Sequence, residues 1–190
     1  MSLQHVLLGL LQTPSTGYDL GREFEEGARH FWFAELSQIY PTLKRLEEKG
    51  WATSRKEPSR RGPERRVYEL TDDGRAELRR WLGSEPRIGR ERLAYVAQAF
   101  FLGALEDDGA AAEMIGRMRS VWQQKLAYLE HGEREWEAEI GGWEEMPMEA
   151  FHPISALRLG IHQYRAKLAW CDETLTRLEA RRSAAAGASA

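Results

Sequence analysis

The side chains best equipped for chemistry in this 190-residue chain are crowded into one stretch. Between Arg55 and Arg66 stand six cations, Arg55, Lys56, Arg60, Arg61, Arg65 and Arg66, against only Glu57 and Glu64, a local net charge of +4. Pro58, Gly62 and Pro63 lie within the run, and β-compatible segments flank it, WATSRK at 51–56 and RVYEL at 66–70. That pattern predicts a β-hairpin with arginines at its tip. Arginine's planar fork suits phosphate oxygens and narrow minor grooves better than a lysine point charge does. A charge run alone is usually a solvated face, so the preceding segment matters. Residues 37–49 (SQIYPTLKRLEEK), wound at about 100° per residue, separate into two faces. Ile39, Leu43 and Leu46 form the core side. Ser37, Gln38, Pro41, Lys44 and Arg45 form an outward face of hydrogen-bonding groups and cations, with Tyr40 on the flank within reach of a phosphate. Ser37 is the expected N-cap. Pro41 would then cost only the first intrahelical bond, and Gly50 would be the left-handed residue past the C-terminus.

A helix with such a face, followed by an arginine-tipped hairpin, is how a winged helix-turn-helix meets duplex DNA. On that reading helix 37–49 enters the major groove with Gln38 and Lys44 on base edges. Ser37, Tyr40, Arg45, Arg60, Arg61 and Arg65 hold phosphates or the minor groove. The supporting elements follow from caps and periodicity. Helix 1 is expected over 2–12, before Thr13-Pro14. Thr16-Gly17-Tyr18-Asp19 has capping-box spacing and opens helix 2, which stops near Gly27. Phe31, Trp32 and Phe33 form an aromatic knot, most simply core, in which Trp32 is also a candidate for lining a ligand cavity. Thr71 caps helix 4, with Asp72 and Asp73 favourably placed in its first turn.

These residues carry a resemblance. Segment 3–82 is similar to the PadR family of bacterial transcriptional regulators, through LLGLL (7–11), TGYDL (16–20), FW (31–32), SQIYPTLKRLEEKGW (37–51), RGPERRVYELTDDG (61–74) and the helix to Trp81. The resemblance implies a dimeric winged-helix repressor with a helical C-terminal dimerisation domain. It also implies that the helix matching 37–49 reads the major groove and that the wing matching 57–65 contacts the backbone. The long C-terminal region resembles the branch with a multi-helix tail. The expected fold is mainly α with a small β-hairpin wing. A winged helix-turn-helix domain covers 1–82, a linker 83–90, a helical dimerisation and effector domain 91–182, and a disordered, low-complexity tail 183–190.

The C-terminal half carries the second strong pattern. Ile154, Leu157, Ile161, Tyr164, Leu168, Cys171, Leu175 and Leu178 recur at spacings of 3 and 4, a sustained heptad seam. A helix over about 110–141 repeats Ile115, Trp122, Leu129 and Trp136 every seven residues, and a further helix is expected over 91–107. Two long seams in a small domain are most economically covered by a second copy, at roughly 25 cal/mol per Å² of apolar surface; an intramolecular helical hairpin is the alternative. A two-fold dimer would match a two-fold symmetric double-stranded operator, with recognition helices about 34 Å apart.

Composition narrows the remaining classes. The net charge is −3, but residues 1–82 hold 14 basic and 13 acidic side chains, while residues 83–190 hold 13 and 17. The positive potential is therefore local, which predicts a modest salt dependence of DNA binding. One cysteine, Cys171, excludes an internal disulfide or a thiolate zinc cluster. It is expected to pack as a small hydrophobe, with a redox role as the alternative. The five histidines show no ligand spacing, and no HExxH, GxSxG or P-loop pattern occurs, so neither an enzyme nor a cofactor is expected. No apolar stretch approaches the roughly 18 residues of a membrane span and no signal-peptide pattern opens the chain, so a cytoplasmic location is expected. Seven tryptophans suit a pocket for a small aromatic or hydrophobic effector, with Trp122 joining Trp32 as a candidate lining residue. Such a ligand is expected between the two domains, where it would change the separation of the recognition helices. A protein-interaction adaptor and a ligand-independent repressor stay open as alternatives.

Overall fold

In a computed structural model, residues 3–26, 34–58, 64–86, 88, 92–140 and 142–188 are described. The chain divides into two compact units, Met1–Arg90 and Glu91–Ala190. The first unit runs α1 (Leu3–Leu10), β1 (Ser15–Thr16), α2 (Gly17–Glu26), α3 (Leu36–Glu48), β2 (Ala52–Glu57), β3 (Arg65–Leu70) and α4 (Asp72–Leu82). Its apolar periodicity becomes a core in which Ile39, Leu43 and Leu46 of α3 are fully buried against Leu7 and Leu8 of α1 and Leu20 and Phe24 of α2. Each such side chain contributes about 1.5–3 kcal/mol by leaving water.

The caps explain the boundaries. The Thr16 hydroxyl accepts from the Asp19 amide at 3.1 Å and donates to the Asp19 carboxylate at 2.7 Å, which starts α2 where the sequence signals it. Ser15 and Thr16 pair with Tyr68 and Val67, so the hairpin of β2 and β3 becomes a three-stranded antiparallel sheet of order β1-β3-β2. This third strand, two residues long, is too short to show an alternating pattern. At the end of α3, Gly50 has φ +70°, and the amides of Gly50 and Trp51 donate to the carbonyls of Glu47 and Leu46, each at 2.9 Å. This is a Schellman closure, and it needs a residue without a Cβ.

The joint continues into α4. The Trp51 carbonyl accepts the Thr71 amide at 3.2 Å, and the Thr71 hydroxyl donates to the Gly50 carbonyl at 2.6 Å. The same hydroxyl accepts from the Gly74 amide at 3.0 Å, capping α4. A Cβ on Gly74 would lie 1.9 Å from the Trp51 carbonyl oxygen, so only glycine fits there. The LTDDG signature is therefore a joint, holding the start of α4 against the end of α3.

The start of α3 departs from expectation. The cap is Glu35, in extended conformation, and its amide donates to the Gln38 side-chain oxygen at 3.3 Å in a capping box. Ser37 lies inside the first turn, its hydroxyl donating to the Glu35 carboxylate at 3.2 Å. Glu35 with Gln38 three residues on satisfies both ends of the box, which a lone serine hydroxyl cannot do. Pro41 consequently sits inside the helix and not in its opening turn. The expected knot at Phe31, Trp32 and Phe33 lies outside the described residues, as do Arg60 and Arg61, expected at the hairpin tip.

The second unit holds α5 (Ala94–Phe100), a 3₁₀ turn (Leu102–Leu105), α6 (Asp108–Ile140), a 3₁₀ turn (Trp143–Glu145) and α7 (Met148–Ala188). The helix expected over 91–107 is thus a shorter α5 that gives way to the 3₁₀ turn, with Glu106 left-handed at φ +52°. Helix α7 runs antiparallel to α6, as cross-pairs in opposite order show: Asp108–Arg181 at 3.0 Å, Arg119–Asp172 at 2.6 Å, Glu130–Arg165 at 2.6 Å and Glu133–Arg158 at 3.1 Å. The heptad seam is satisfied within the chain. Ile154, Ile161 and Cys171 are buried, and Tyr164, Leu168, Leu175 and Leu178 pack with Ile115, Met118 and Trp122 of α6. Leu129 is buried and Leu157 half-buried. A heptad pattern specifies a helical partner but not its chain, and here the short connection after α6 returns one. Residues 183–188, expected as a disordered tail, continue α7; their alanines are strong helix formers.

A buried carboxylate braces α1 against α4. Glu77, 8% exposed, accepts both a 2.6 Å and a 2.8 Å bond from Arg80 and lies 3.0 Å from the His5 ring, which stacks on Trp81. The Arg80 bonds, opposed by burial and aided by His5, hold this carboxyl below its ordinary range. Its stabilisation is therefore complete above the unfolded value of about 4.3 and is lost as pH falls through the lower folded value. Glu77→Gln should cost about 1 kcal/mol near pH 7, less than a buried pair because Arg80 is largely exposed. Urea unfolding at several pH values should show the gap between variant and parent closing below pH ~4; a gap independent of pH would remove the ionic contribution. Gly74→Ala should lower stability by about 2 kcal/mol or more, read as a fall in thermal midpoint; an unchanged midpoint would mean that the Trp51 joint yields without cost.

Candidate nucleic-acid interface

Helix α3 presents the two faces its periodicity requires. Ile39, Thr42, Leu43 and Leu46 point inward, while Ser37, Gln38, Tyr40, Pro41, Lys44 and Arg45 are exposed. Thr42, apolar in effect, hides its hydroxyl by donating to the Gln38 carbonyl at 2.7 Å. The Gln38 oxygen is engaged in the cap, which leaves its side-chain amide nitrogen as the group for a partner. Arg45 folds along the helix to donate to the Pro41 carbonyl at 3.2 Å, and Lys44 lies 3.8 Å from Glu48 with both side chains mostly in solvent. Such an exposed pair is worth little and yields readily to a stronger anion.

Tyr40 is positioned by a residue whose role periodicity does not reveal. Its ring lies over Gly17 at the start of α2, where a Cβ would come within 2.4 Å of the ring carbon Cε1. Tyr18, two-thirds exposed in the same opening turn of α2, stands next to this slot. Gly17 was not legible as the residue that seats Tyr40, because the signal is a contact between two helices and not a spacing along one.

The wing is less positive than its sequence. Arg55 donates to Glu57 and to Glu69, each at 2.9 Å, and Lys56 pairs with Glu64 at 3.0 Å. Arg66 donates to the Ser54 hydroxyl at 2.6 Å and pairs with Glu47 of α3 at 3.2 Å. Two of these carboxylates, Glu47 and Glu69, lie outside the counted run, and folding brings them to it. Arg65, at the tip-proximal end of β3, is exposed. It is thus the wing arginine among the described residues whose position suits contact with a backbone.

The second unit contains an open aromatic cleft. It has a volume of about 520 Å³ and is lined by Tyr95, Val96, Ala99, Phe100, Trp122, Ala166, Lys167 and Trp170. Trp122 meets Tyr95 edge-on at 5.2 Å and Trp170 at 6.2 Å between ring centres. The Lys167 ammonium lies 5.5 Å from the Tyr95 ring, 5.8 Å from Trp122 and 4.8 Å from Tyr164. Trp122 thus serves both seam and cleft. Cys171 is fully buried, its thiol donating to the Ile115 carbonyl at 3.8 Å, and burial pushes that thiol up, away from the reactive thiolate. Among the described residues no group of three or more His, Cys, Asp or Glu side chains could hold a metal ion. Nor is any described helix long and apolar enough to cross a membrane.

Comparison with known proteins agrees with both units. Residues 6–80 match the transcriptional regulator PadR-like family, and residues 96–179 match the virulence activator alpha C-terminal family. A probable transcriptional regulator of Mycobacterium tuberculosis is 28% identical over 96% of this chain and 100% of its own length. The negative transcriptional regulator PadR of Bacillus subtilis is 33% identical over 67% of this chain and 71% of its own. The crystal structure of that Bacillus protein in complex with operator DNA superposes with a TM-score of 0.83 at 27% identity, covering 93% of this chain and 97% of that one. Its structure with p-coumaric acid gives 0.76 at 26% identity, covering 93% and 98%. A winged-helix unit with its outward α3 face, a helical second unit and these relatives lead to one conclusion: the chain belongs to the PadR family of DNA-binding transcriptional regulators and is not an enzyme.

Proposed function

We propose that the protein is a homodimeric repressor which binds a two-fold symmetric operator and leaves it when a small aromatic effector binds. The observation that carries the DNA half is the polar, cationic outward face of α3 beside the wing. On this reading Gln38 and Lys44 meet base edges. Ser37, Tyr40, Arg45 and Arg65 hold phosphates, joined by Arg60 and Arg61 of the tip. The Bacillus relative's complex with operator DNA supports it.

A second copy is called for by what α6 and α7 leave uncovered. Phe100 and Phe101 at the end of α5 are 80% and 67% exposed, and Val121, Tyr128 and Leu159 also face solvent. Monomeric proteins rarely leave large apolar patches uncovered. The interface therefore draws on these residues alongside the seam, whose inner face α6 already occupies. The effector half rests on the aromatic cleft, whose volume and composition fit a flat molecule. Lys167 beside three rings adds a preference for an acidic group, in keeping with the Bacillus relative's complex with p-coumaric acid.

Two measurements separate this reading from its rivals. A duplex selected from a randomised library should bind far more tightly than a scrambled one at ~150 mM salt, where non-specific binding is weak. Lys44→Ala should erode that preference by ~1–3 kcal/mol, whereas Arg65→Ala should weaken both duplexes alike and lower the salt slope by about one. Absence of any selected sequence would favour a protein-interaction adaptor that reuses the winged helix. For the effector, p-coumaric acid should quench the tryptophan emission of the wild type and release the duplex, and Lys167→Met should weaken that response about tenfold, the loss expected for one charge-assisted contact. A duplex that neither this acid nor its uncharged ester releases would leave a ligand-independent repressor.

A further inference from the structure

Glu47 stands at the rear of the recognition helix, a carboxylate on the element that must approach a polyanion. Its side chain is only 21% exposed, and its position is set by the sheet. The Ser54 hydroxyl of β2 donates to its Oε1 at 2.6 Å. Arg66 of β3 reaches the same oxygen at 3.2 Å while donating from Nε to Ser54 at 2.6 Å. The Arg66 guanidinium also lies over the Tyr68 ring, 5.6 Å from its centre, and Tyr68 is the register partner of Ser54. One carboxylate thus gathers both wing strands. Three mutually bonded groups, one of them a planar fork stacked on a ring, fix a direction better than a single ion pair does.

From this geometry we infer that Glu47, with Ser54 and Arg66, forms a clasp that sets the angle between recognition helix and wing, making these three positioning residues for operator recognition. The inference rests on the DNA-binding reading above and deepens it. Helix and wing must meet the groove and the flanking backbone together, so a change in their angle misplaces base contacts while leaving sequence-blind attraction intact. Arg66, although part of the basic run, belongs to the clasp and does not count among the phosphate contacts.

The charge of Glu47 makes the test sharp, because the clasp and simple electrostatics predict opposite signs. Removing a carboxylate near DNA should tighten all binding. If the clasp operates, Glu47→Gln lowers affinity for the selected duplex at least about fivefold, the value of one misplaced base contact, and leaves the scrambled duplex unchanged or tighter. Equal tightening on both duplexes would overturn the proposal. Arg66→Met gives a second reading that does not depend on the Glu47 variant folding. It should weaken preference for the selected duplex while the salt slope on scrambled DNA stays at the parental value, whereas losing a phosphate contact lowers that slope by about 0.9. A lowered slope would make Arg66 a phosphate ligand and end the clasp assignment. Wild-type protein without preference for any duplex would overturn the repressor reading together with the clasp, whereas preference that survives both substitutions would overturn the clasp alone.

Discussion

One peptide carbonyl, that of Trp51, holds the DNA-binding unit in register. It lies one residue past the left-handed Gly50 that closes α3, and it accepts the Thr71 amide at the far end of the hairpin. The next pair inward, Ala52 with Leu70, begins the β2–β3 ladder, so the helix end and the first rung are fixed together. Gly74 lets the start of α4 close over the same oxygen. A one-residue slip at this point would turn every side chain of β2 to the opposite face. It would also separate Ser54 from Glu47 and the sheet face from the core. The direction of the α3 outer face therefore depends on a backbone joint that contributes no functional side chain.

The charges of the wing follow from this placement. A count along the sequence gives an arginine arm with a net charge of +4, but the fold sets Glu69 diagonally across the hairpin from Arg55, whose register partner is Val67, and pairs Glu47 with Arg66. Exposed ion pairs of this kind contribute about 0–1 kcal/mol each, so they hold the arms in place without committing much energy. The consequence is a division of labour among residues of one type. Arg66 is turned back to the helix, Arg55 ties two strand carboxylates together, and Arg65 points outward near the tip. Positive potential reaches a DNA partner through few groups, in line with an overall charge that is slightly negative.

What the sequence made legible were features encoded by neighbours in the chain. The inward triad Ile39, Leu43 and Leu46, the caps at Thr16 and Thr71, the glycine stop at Gly50 and both hairpin strands all rest on local spacing, and they stand as read. The misreadings share a different cause. Ser37 lost the cap to Glu35 because Gln38 could complete a reciprocal box with it. Strand β1 is two residues long and exists only because β3 has an edge to offer. The Glu47 clasp and the Gly17 slot under Tyr40 join residues far apart in sequence, and no periodicity marks them. The heptad period marks a packing surface, and of the two partners it leaves open, a second copy or a helical hairpin within the chain, α6 of the same chain fills the inner face.

That choice of partner changes where a signal could enter. Because α7 packs on α6, the seam is the core of the second unit, and Trp122 is shared between that core and the aromatic cleft. Its ring is buried against the seam on one side and meets Tyr95 and Trp170 on the other. Close-packed interiors do not deform smoothly; they switch between discrete packings. On the proposed reading, a flat acid drawn to Lys167 would pack against Trp122, and any movement of that ring would pass directly to the seam of α6 and α7. A cleft lined by surface aromatics alone could bind the same molecule without consequence. The placement of one tryptophan in both core and cleft is what would convert occupancy into a change of helix packing.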